Sequence, residues 1–208
     1  MKITKIEVQK KNKNRVNIYI DNSFFCGLSV ETILRFRIKE NQEISLEKLE
    51  YLKNQTEREI ALEKSVKHIS KSQKTEKELR QYLLKYGYDE DVIESTIEKL
   101  KNYGFVNDFE YAKAYVKFKS KSSGSKKIKY ELSLKGVEKD IVEKCLNEFS
   151  CEQSSIIDVA KKYLKGKTLD KKTKEKTYRF LMGKGYNASD ISSNLNKIFS
   201  EGQDESWD

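Results

Sequence analysis

The 208-residue sequence predicts a mainly α-helical chain, with three tandem three-helix repeats behind a small N-terminal unit of β-hairpin and helix. Three observations carry this. Glycine returns every 49 residues, at Gly87, Gly136 and Gly185. The same apolar frame surrounds each glycine. It comprises Leu83, Leu132 and Leu181 four before, Ile93, Val142 and Ile191 six after, Ile97, Leu146 and Leu195 ten after, and Leu100, Phe149 and Ile198 thirteen after. A shared frame of that length marks one supersecondary unit used repeatedly. There is also no proline, so nothing breaks long helices from within.

The pattern divides the chain into residues 1–57 (strands plus helices), 58–107, 108–150 and 151–200 (the three repeats) and 201–208 (an acidic tail). Ile3, Ile6 and Val8 form a first strand that leads into the polar turn Lys11-Asn12-Lys13-Asn14. Val16, Ile18 and Ile20 then alternate with Asn17 and Tyr19 at the period of a half-buried strand. Asp21-Asn22 signals a turn, and Phe24-Phe25-Cys26 a third short strand. Ser29 caps a helix predicted through Arg37, with Glu31 well placed in its first turn. Ser45 caps another, running from Leu46 towards Ile69.

In the first repeat Ala61, Leu62, Val66 and Ile69 form one apolar stripe. Thr75 to Tyr86 forms the second helix, with Thr75 and Glu78 spaced as a capping box and Gly87 as the left-handed terminator. Asp89 caps the third helix, through Lys101, and Gly104-Phe105 ends it. The second repeat starts at Asp108, with Phe109, Ala112, Tyr115 and Val116 on its stripe. Ser122-Ser123-Gly124-Ser125 separates these from the helix of Ile128 and Leu132. The third begins near Ser154, with Ile156, Val159, Ala160 and Tyr163. It continues through Tyr178 and Leu181 to Gly185, and Asn187 and Asp190 fall at cap and N3 of the last helix. The tail from Gly202 to Asp208, which carries Trp207, is expected to be loose.

Charged residues reach 36%, yet 37% are apolar and periodically placed, which favours folding over disorder. No apolar run approaches the ~20 residues of a membrane span, and the first residues lack a signal peptide's apolar centre. Cys26, Cys145 and Cys151 show no metal or redox spacing and read as reduced thiols of a cytoplasmic protein, with Cys145 in a core.

Chemistry is sparse. His68 has no Cys or carboxylate at ligand spacing and reads as structural. The phosphate-binding glycine loops, the H-E-x-x-H zinc motif and the G-x-S-x-G elbow are all missing. Pairs such as Glu90-Asp91 sit where they complement a helix dipole. The expectation is a protein that is not an enzyme and holds neither cofactor nor metal.

Charge is more informative. The formal net charge is +9, which favours an anionic partner, nucleic acid first. AT-rich coding could also produce so many lysines, and arginine, the better base reader, is confined to Arg15, Arg35, Arg37, Arg58, Arg80 and Arg179. From Lys113 to Lys139 nine lysines face two glutamates, and from Lys161 to Lys184 ten cations face two carboxylates. Tyr115, Phe118, Tyr130, Tyr163 and Tyr178 interleave with them. Lysines can neutralise phosphates while an exposed ring stacks on a base. Chosen on charge, the candidate contacts are Lys119, Lys121, Lys126, Lys127, Lys129, Lys135, Lys171, Lys172 and Lys174. The serine-glycine loop would let backbone approach an anion. Gly87, Gly104, Gly136 and Gly185 are read as structural. The plainer reading makes rings such as Tyr115 and Tyr163 core and the lysines a solvated face.

Helix, glycine turn and helix also outline a sequence-specific helix-turn-helix DNA reader, in which Arg80, Gln81 and Lys85 would meet the duplex. Against it, Leu83, Leu132 and Leu181 stand where tight helix-turn-helix packing wants a small residue, and triplication suits an extended contact.

Through Glu78-Leu79-Arg80-Gln81-Tyr82-Leu83, Lys85-Tyr86-Gly87-Tyr88, Val92-Ile93, Ile97, Leu100 and Gly104-Phe105-Val106-Asn107-Asp108, the chain resembles the RecX family, bacterial regulators of the RecA recombinase. The likeness continues through Tyr111-Ala112, Tyr115-Val116, Ile128, Glu131-Leu132, Lys135-Gly136-Val137 and Ile141-Val142, in matching order and spacing over about residues 61–149. The resemblance implies tandem three-helix repeats that bind RecA and its filaments on DNA and inhibit ATP hydrolysis and strand exchange in recombination and repair. The expected partners are the RecA filament and single- and double-stranded DNA, with the protein itself a monomer. The third repeat, where Gly166 and Thr168 replace a tidy first connection, matches more loosely. A protein-only scaffold, its lysines merely solubilising, is a further rival.

Overall fold

Alternation in the first thirty residues becomes a three-stranded antiparallel sheet, β1 (Ile3–Val8), β2 (Arg15–Ile20) and β3 (Ser23–Ser29), in that order. The structure, a computed structural model, describes residues 1–149 and 152–204, with side chains described at 1–149, 156–200. Among the described residues ten helices follow the sheet: α1 (Val30–Arg35), α2 (Leu46–Ile69), α3 (Glu76–Lys85), α4 (Glu90–Asn102), α5 (Asp108–Lys119), α6 (Ser125–Leu134), α7 (Lys139–Glu148), α8 (Glu152–Leu164), α9 (Lys171–Gly183) and α10 (Ala188–Asp204). They form two compact units, Met1–Gln73 with Leu79–Val106, and Lys74–Glu78 with Asn107–Asp208.

In the first unit the register pairs Ile6 with Ile18 and Ile18 with Cys26, so one face of the sheet is apolar. Ile3, Val16, Ile18, Ile20, Cys26 and Leu28 are buried there against Ile38, Ile44, Leu49 and Leu52. The third strand is longer than its apolar triplet, because Gly27, Leu28 and Ser29 still pair with β2. Ser29 caps α1 by accepting from the Thr32 N–H. That helix stops at Arg35 rather than Arg37, whose φ of 51° is left-handed. Ser45 caps α2 by accepting from the Lys48 N–H. Beyond it, Ala61, Leu79, Leu83, Val92, Ile93, Ile97, Leu100 and Val106 make the second core of this unit. Val66 is a correction to the predicted stripe. It is 40% exposed, and Ser65 is buried instead, its hydroxyl donating to the Ala61 carbonyl. Asp89 stands at the N-cap of α4 without a side-chain cap bond. His68 is half-buried, stacked on Tyr82 with ring centroids 3.8 Å apart.

The second unit has two cores. One holds Ala112, Val116, Ile128, Leu132, Val137, Val142 and Cys145, and the other Ile156, Val159, Ala160, Leu164, Leu181, Tyr186, Ile191, Leu195 and Phe199. Cys145 is thus core, while Cys151 and Trp207 lie outside the described residues. The last helix runs to Asp204, into the segment expected to be a loose tail. The repeat glycines Gly87, Gly104, Gly136 and Gly185 all have φ between 72° and 85°, the left-handed region that penalises a β-carbon.

The junctions inside this unit repeat as the helices do. At one, the Thr75 hydroxyl donates to the Lys135 carbonyl at 2.7 Å and Lys77 Nζ to the Leu134 carbonyl at 3.2 Å. At the other, the Gly124 N–H donates to the Lys184 carbonyl at 2.9 Å and the Lys126 N–H to the Gly185 carbonyl at 3.2 Å. Residues 75 and 124, and likewise 135 and 184, stand 49 apart. In each case the start of a repeat's second helix grips the glycine turn of the repeat that follows.

Thr75 and Glu78 close the predicted capping box, with reciprocal 3.2 Å bonds. The Glu78 carboxylate also pairs with Lys135. Burial opposes ionisation of Glu78, but the Lys135 ammonium and the Thr75 N–H outweigh it and hold the carboxyl below its ordinary value of 4.5. A lowered carboxyl contributes stability above its unfolded pKa and loses it as pH falls through the folded one. Glu78→Ala is therefore expected to destabilise by about 1–3 kcal/mol at pH 7, since it strands a half-buried ammonium and opens the cap. Urea unfolding at pH 7 and pH 3 should show the gap to the parent narrowing in acid. A gap that is equal at both pH values would remove the pair from the account.

Candidate nucleic-acid interface

Lysine at the start of a helix opposes the macrodipole, and the first turns of α3, α4 and α5 follow the rule with Glu76, Glu78, Glu90, Asp91, Asp108 and Glu110. Two helices break it. The first turn of α6 carries Lys126 and Lys127 and that of α9 carries Lys171 and Lys172, with no acidic residue in either. Each such lysine gives up about 0.3–1 kcal/mol relative to an acidic residue's favourable placement. At α9 the Asp170 carboxylate already caps the start, accepting from the Thr173 N–H at 2.6 Å, and at α6 the Lys126 N–H is used by the Gly185 carbonyl, so what either end offers an external anion is its ammonium groups.

The structure sorts the nine candidate lysines by what they touch. Lys119 meets Glu131 at 3.3 Å and lies over the Tyr115 ring. The Tyr115 hydroxyl donates to Glu131 at 2.6 Å. That bond, with Lys119 beside it, holds the Glu131 carboxyl below its usual range despite partial burial. Burial, with the Glu131 carboxylate, pushes the Tyr115 phenol well above its ordinary value. This trio joins α5 to α6, so Lys119 has a structural task. Lys129 is 3.5 Å from Glu143 on α7, Lys135 pairs with Glu78, and Lys174 donates to Asn196 Oδ1 at 2.8 Å. Lys121, Lys126, Lys171 and Lys172 are exposed and Lys127 half-buried, and none of the five forms an ion pair with a described residue.

The loop between α5 and α6 differs from its expected role. Ser122 and Ser123 donate their N–H groups to the Lys119 carbonyl, and the Gly124 N–H is used by Lys184. Gly124 therefore serves the junction and does not bring backbone to an anion. The helices on either side of the loop present ring surface beside charge. Phe118 is 71% and Tyr130 64% exposed, and Tyr130 stands four residues after Lys126 on the same face of α6. Tyr115 and Tyr163 are half-buried on their stripes. Among the described residues no cluster of three or more His, Cys, Asp or Glu could hold a metal, and no helix is long and apolar enough to cross a membrane.

Profiles of known families match in four places, and they cover most of the chain. Residues 1–45 match the regulatory protein RecX N-terminal domain. Residues 61–100, 107–146 and 152–193 match the first, second and third RecX three-helix domains. This chain belongs to the RecX family. A regulatory protein RecX of Clostridium beijerinckii is 40% identical over 98% of this chain and 99% of its own. One from Staphylococcus aureus is 31% identical over 95% of this chain and 74% of its own. Among solved structures, a crystal structure of regulatory protein RecX superposes with a TM-score of 0.70 over 94% of this chain and 98% of that one, at 22% identity. At that identity the likeness speaks for the fold. The third RecX domain matches too, so its looser sequence frame is a variant of the same unit.

Sequence reasoning found the lysine clusters but not their placement. The missed signal was positional. Lys126-Lys127 and Lys171-Lys172 fall within three residues of a helix start, where Glu76 and Glu78 stand in the first repeat.

Proposed function

We propose that this chain is a non-catalytic regulator that binds the RecA recombinase and its DNA filament and lowers ATP hydrolysis and strand exchange. Membership of the RecX family along nearly the whole chain is the observation that carries the reading. The unpaired lysines of α6 and α9 and the exposed Phe118 and Tyr130 support a DNA backbone contact within it. Several weak contacts spaced along one rigid partner sum to strong binding by effective concentration. The helix-turn-helix reading loses its chief base reader, because Arg80 is held by Glu90 and Glu94 on α4.

Titration of the protein into preformed RecA filaments on single-stranded DNA, with ATP hydrolysis and strand exchange followed together, tests the proposal. Both rates are expected to fall at protein well below the RecA concentration. Unchanged rates at low salt, with the protein folded, would refute it. Tight binding to one duplex sequence in preference to filaments would support the helix-turn-helix reader instead.

A further inference from the structure

In the first two repeats an ion pair ties the second helix to the third. Arg80 on α3 pairs with Glu94 on α4, and Lys129 on α6 with Glu143 on α7. The positions 49 residues beyond Lys129 and Glu143 are Tyr178 on α9 and Ser192 on α10. The cation has become a ring and the carboxylate a small hydroxyl. At that place the third repeat holds a cavity of about 450 Å³, lined by Lys171, Lys174, Tyr178, Arg179, Leu195 and Asn196, among others. A neighbouring cavity of about 330 Å³ shares Lys171, Lys174 and Asn196 with it and extends past the Asp170 carboxylate to Phe199. The ion pair's loss and the hollow coincide.

The lining has a definite chemistry. The half-buried Tyr178 offers aromatic surface, while Leu195 and Phe199 form the buried floor beneath it, with Lys174 over the Phe199 ring. Lys171 and Arg179 stand at the rim with exposed side chains, and Lys174 is fixed by Asn196. Glu175 reaches Arg179 only at 4.0 Å and with both groups largely exposed, which leaves the guanidinium available. Asn196 keeps its amide N–H groups and Ser192 its hydroxyl for hydrogen bonds. The volume lies within the roughly 300–1,000 Å³ typical of small-molecule sites. A ligand with one flat ring, polar ring edges and an attached anion satisfies all of these groups together. A base in a helical stack cannot enter such a hollow, whereas an unpaired base can be splayed out and stacked on a ring.

We infer that the cavity between α9 and α10 takes a nucleotide unit of single-stranded nucleic acid. The base lies against Tyr178, and the phosphate is held by Lys171 and Arg179. The inference rests on the nucleic-acid contact proposed above and gives the third repeat a base-holding role.

The double variant Y178R/S192E restores the ion pair of the other repeats and fills the hollow while leaving the net charge unchanged. Binding of the full chain to a twelve-residue oligothymidylate, followed by fluorescence anisotropy, is expected to weaken about five- to tenfold in this variant, the low end of what loss of one stacked base produces. Tyr178→Phe should stay within about twofold of the parent, because the ring persists. Equal affinity of Y178R/S192E and the parent would overturn the cavity assignment and leave the wider DNA contact standing. No binding by the parent would remove both. Photocrosslinking of the parent with a 5-iododeoxyuridine oligonucleotide needs no variant to fold. The adduct is expected on the tryptic peptide Thr177-Tyr178-Arg179, and adducts confined to other peptides would overturn the inference. Competition by thymidine monophosphate separates strand from free nucleotide. The oligomer should bind at least about 100-fold tighter, and a monophosphate that competes equally well would reject the strand as ligand.

Discussion

Gly124→Ala is expected to be among the most destabilising single-methyl changes in this chain, although nothing about its backbone demands glycine. Its φ of −80° is open to any residue. The obstacle is the neighbouring turn. A β-carbon there would lie 2.3 Å from the Gly185 carbonyl oxygen and 2.4 Å from the Tyr186 nitrogen, both backbone atoms that no rotamer change can move. The start of α6 must retreat, and the bonds to the Lys184 and Gly185 carbonyls go with it. Overpacking of about 1–3 kcal/mol and two hydrogen bonds of about 0.5–1.5 kcal/mol each bring the loss to about 2–6 kcal/mol. For a chain of this size that lowers the thermal midpoint by on the order of 10 °C. Gly87→Ala is the counterpart. Its φ is 75°, yet no atom lies within 4 Å of an added β-carbon, so only the left-handed strain of about 1–2 kcal/mol applies. Far-UV circular dichroism melts of the two variants should rank Gly124→Ala below Gly87→Ala. The reverse order would mean that the junction carries little of the stability.

That ranking shows where sequence reading succeeds and where it stops. Gly87, Gly136 and Gly185 were legible because a left-handed helix end and an apolar frame are local properties, and both survive in one dimension. The strands were legible through the alternation of Val16, Ile18 and Ile20, and the Thr75–Glu78 capping box through its short spacing. Gly124 looked like a flexible loop residue because its reason lies 61 residues away, at Gly185. Val66 and Ser65 were exchanged because adjacent helical positions differ by about 100° and the stripe drifts along a 24-residue helix. The site shows the same limit. Nine lysines could be chosen by charge, but the partners of Lys119, Lys129, Lys135 and Lys174 are Glu131, Glu143, Glu78 and Asn196, each on another helix. Pairing across helices depends on packing, so composition could not separate cations that hold the fold from cations left for a ligand.

The unpaired lysines yield the sharpest functional expectation. Replacing Lys121, Lys126 and Lys127 together by glutamine should weaken DNA binding about 10- to 100-fold at 50 mM salt. The loss should be nearly independent of sequence, because phosphate contacts position a protein without reading bases. Each phosphate-neutralising lysine contributes about 0.7 to the slope of log affinity against log salt on single strands, so three removals flatten that slope by about 2. A merely solubilising role predicts the parental slope. Stability supplies the second reading of the same variant. Lys126 and Lys127 sit in the first turn of α6, where a positive charge opposes the dipole, so neutralising them should raise the unfolding free energy slightly or leave it unchanged. Lys119→Gln should do the opposite, losing stability through the Tyr115 and Glu131 trio with little change in salt slope. Weaker binding on a fold of equal or greater stability would place these lysines at the DNA backbone. Weaker binding that tracks lost stability would return them to the fold.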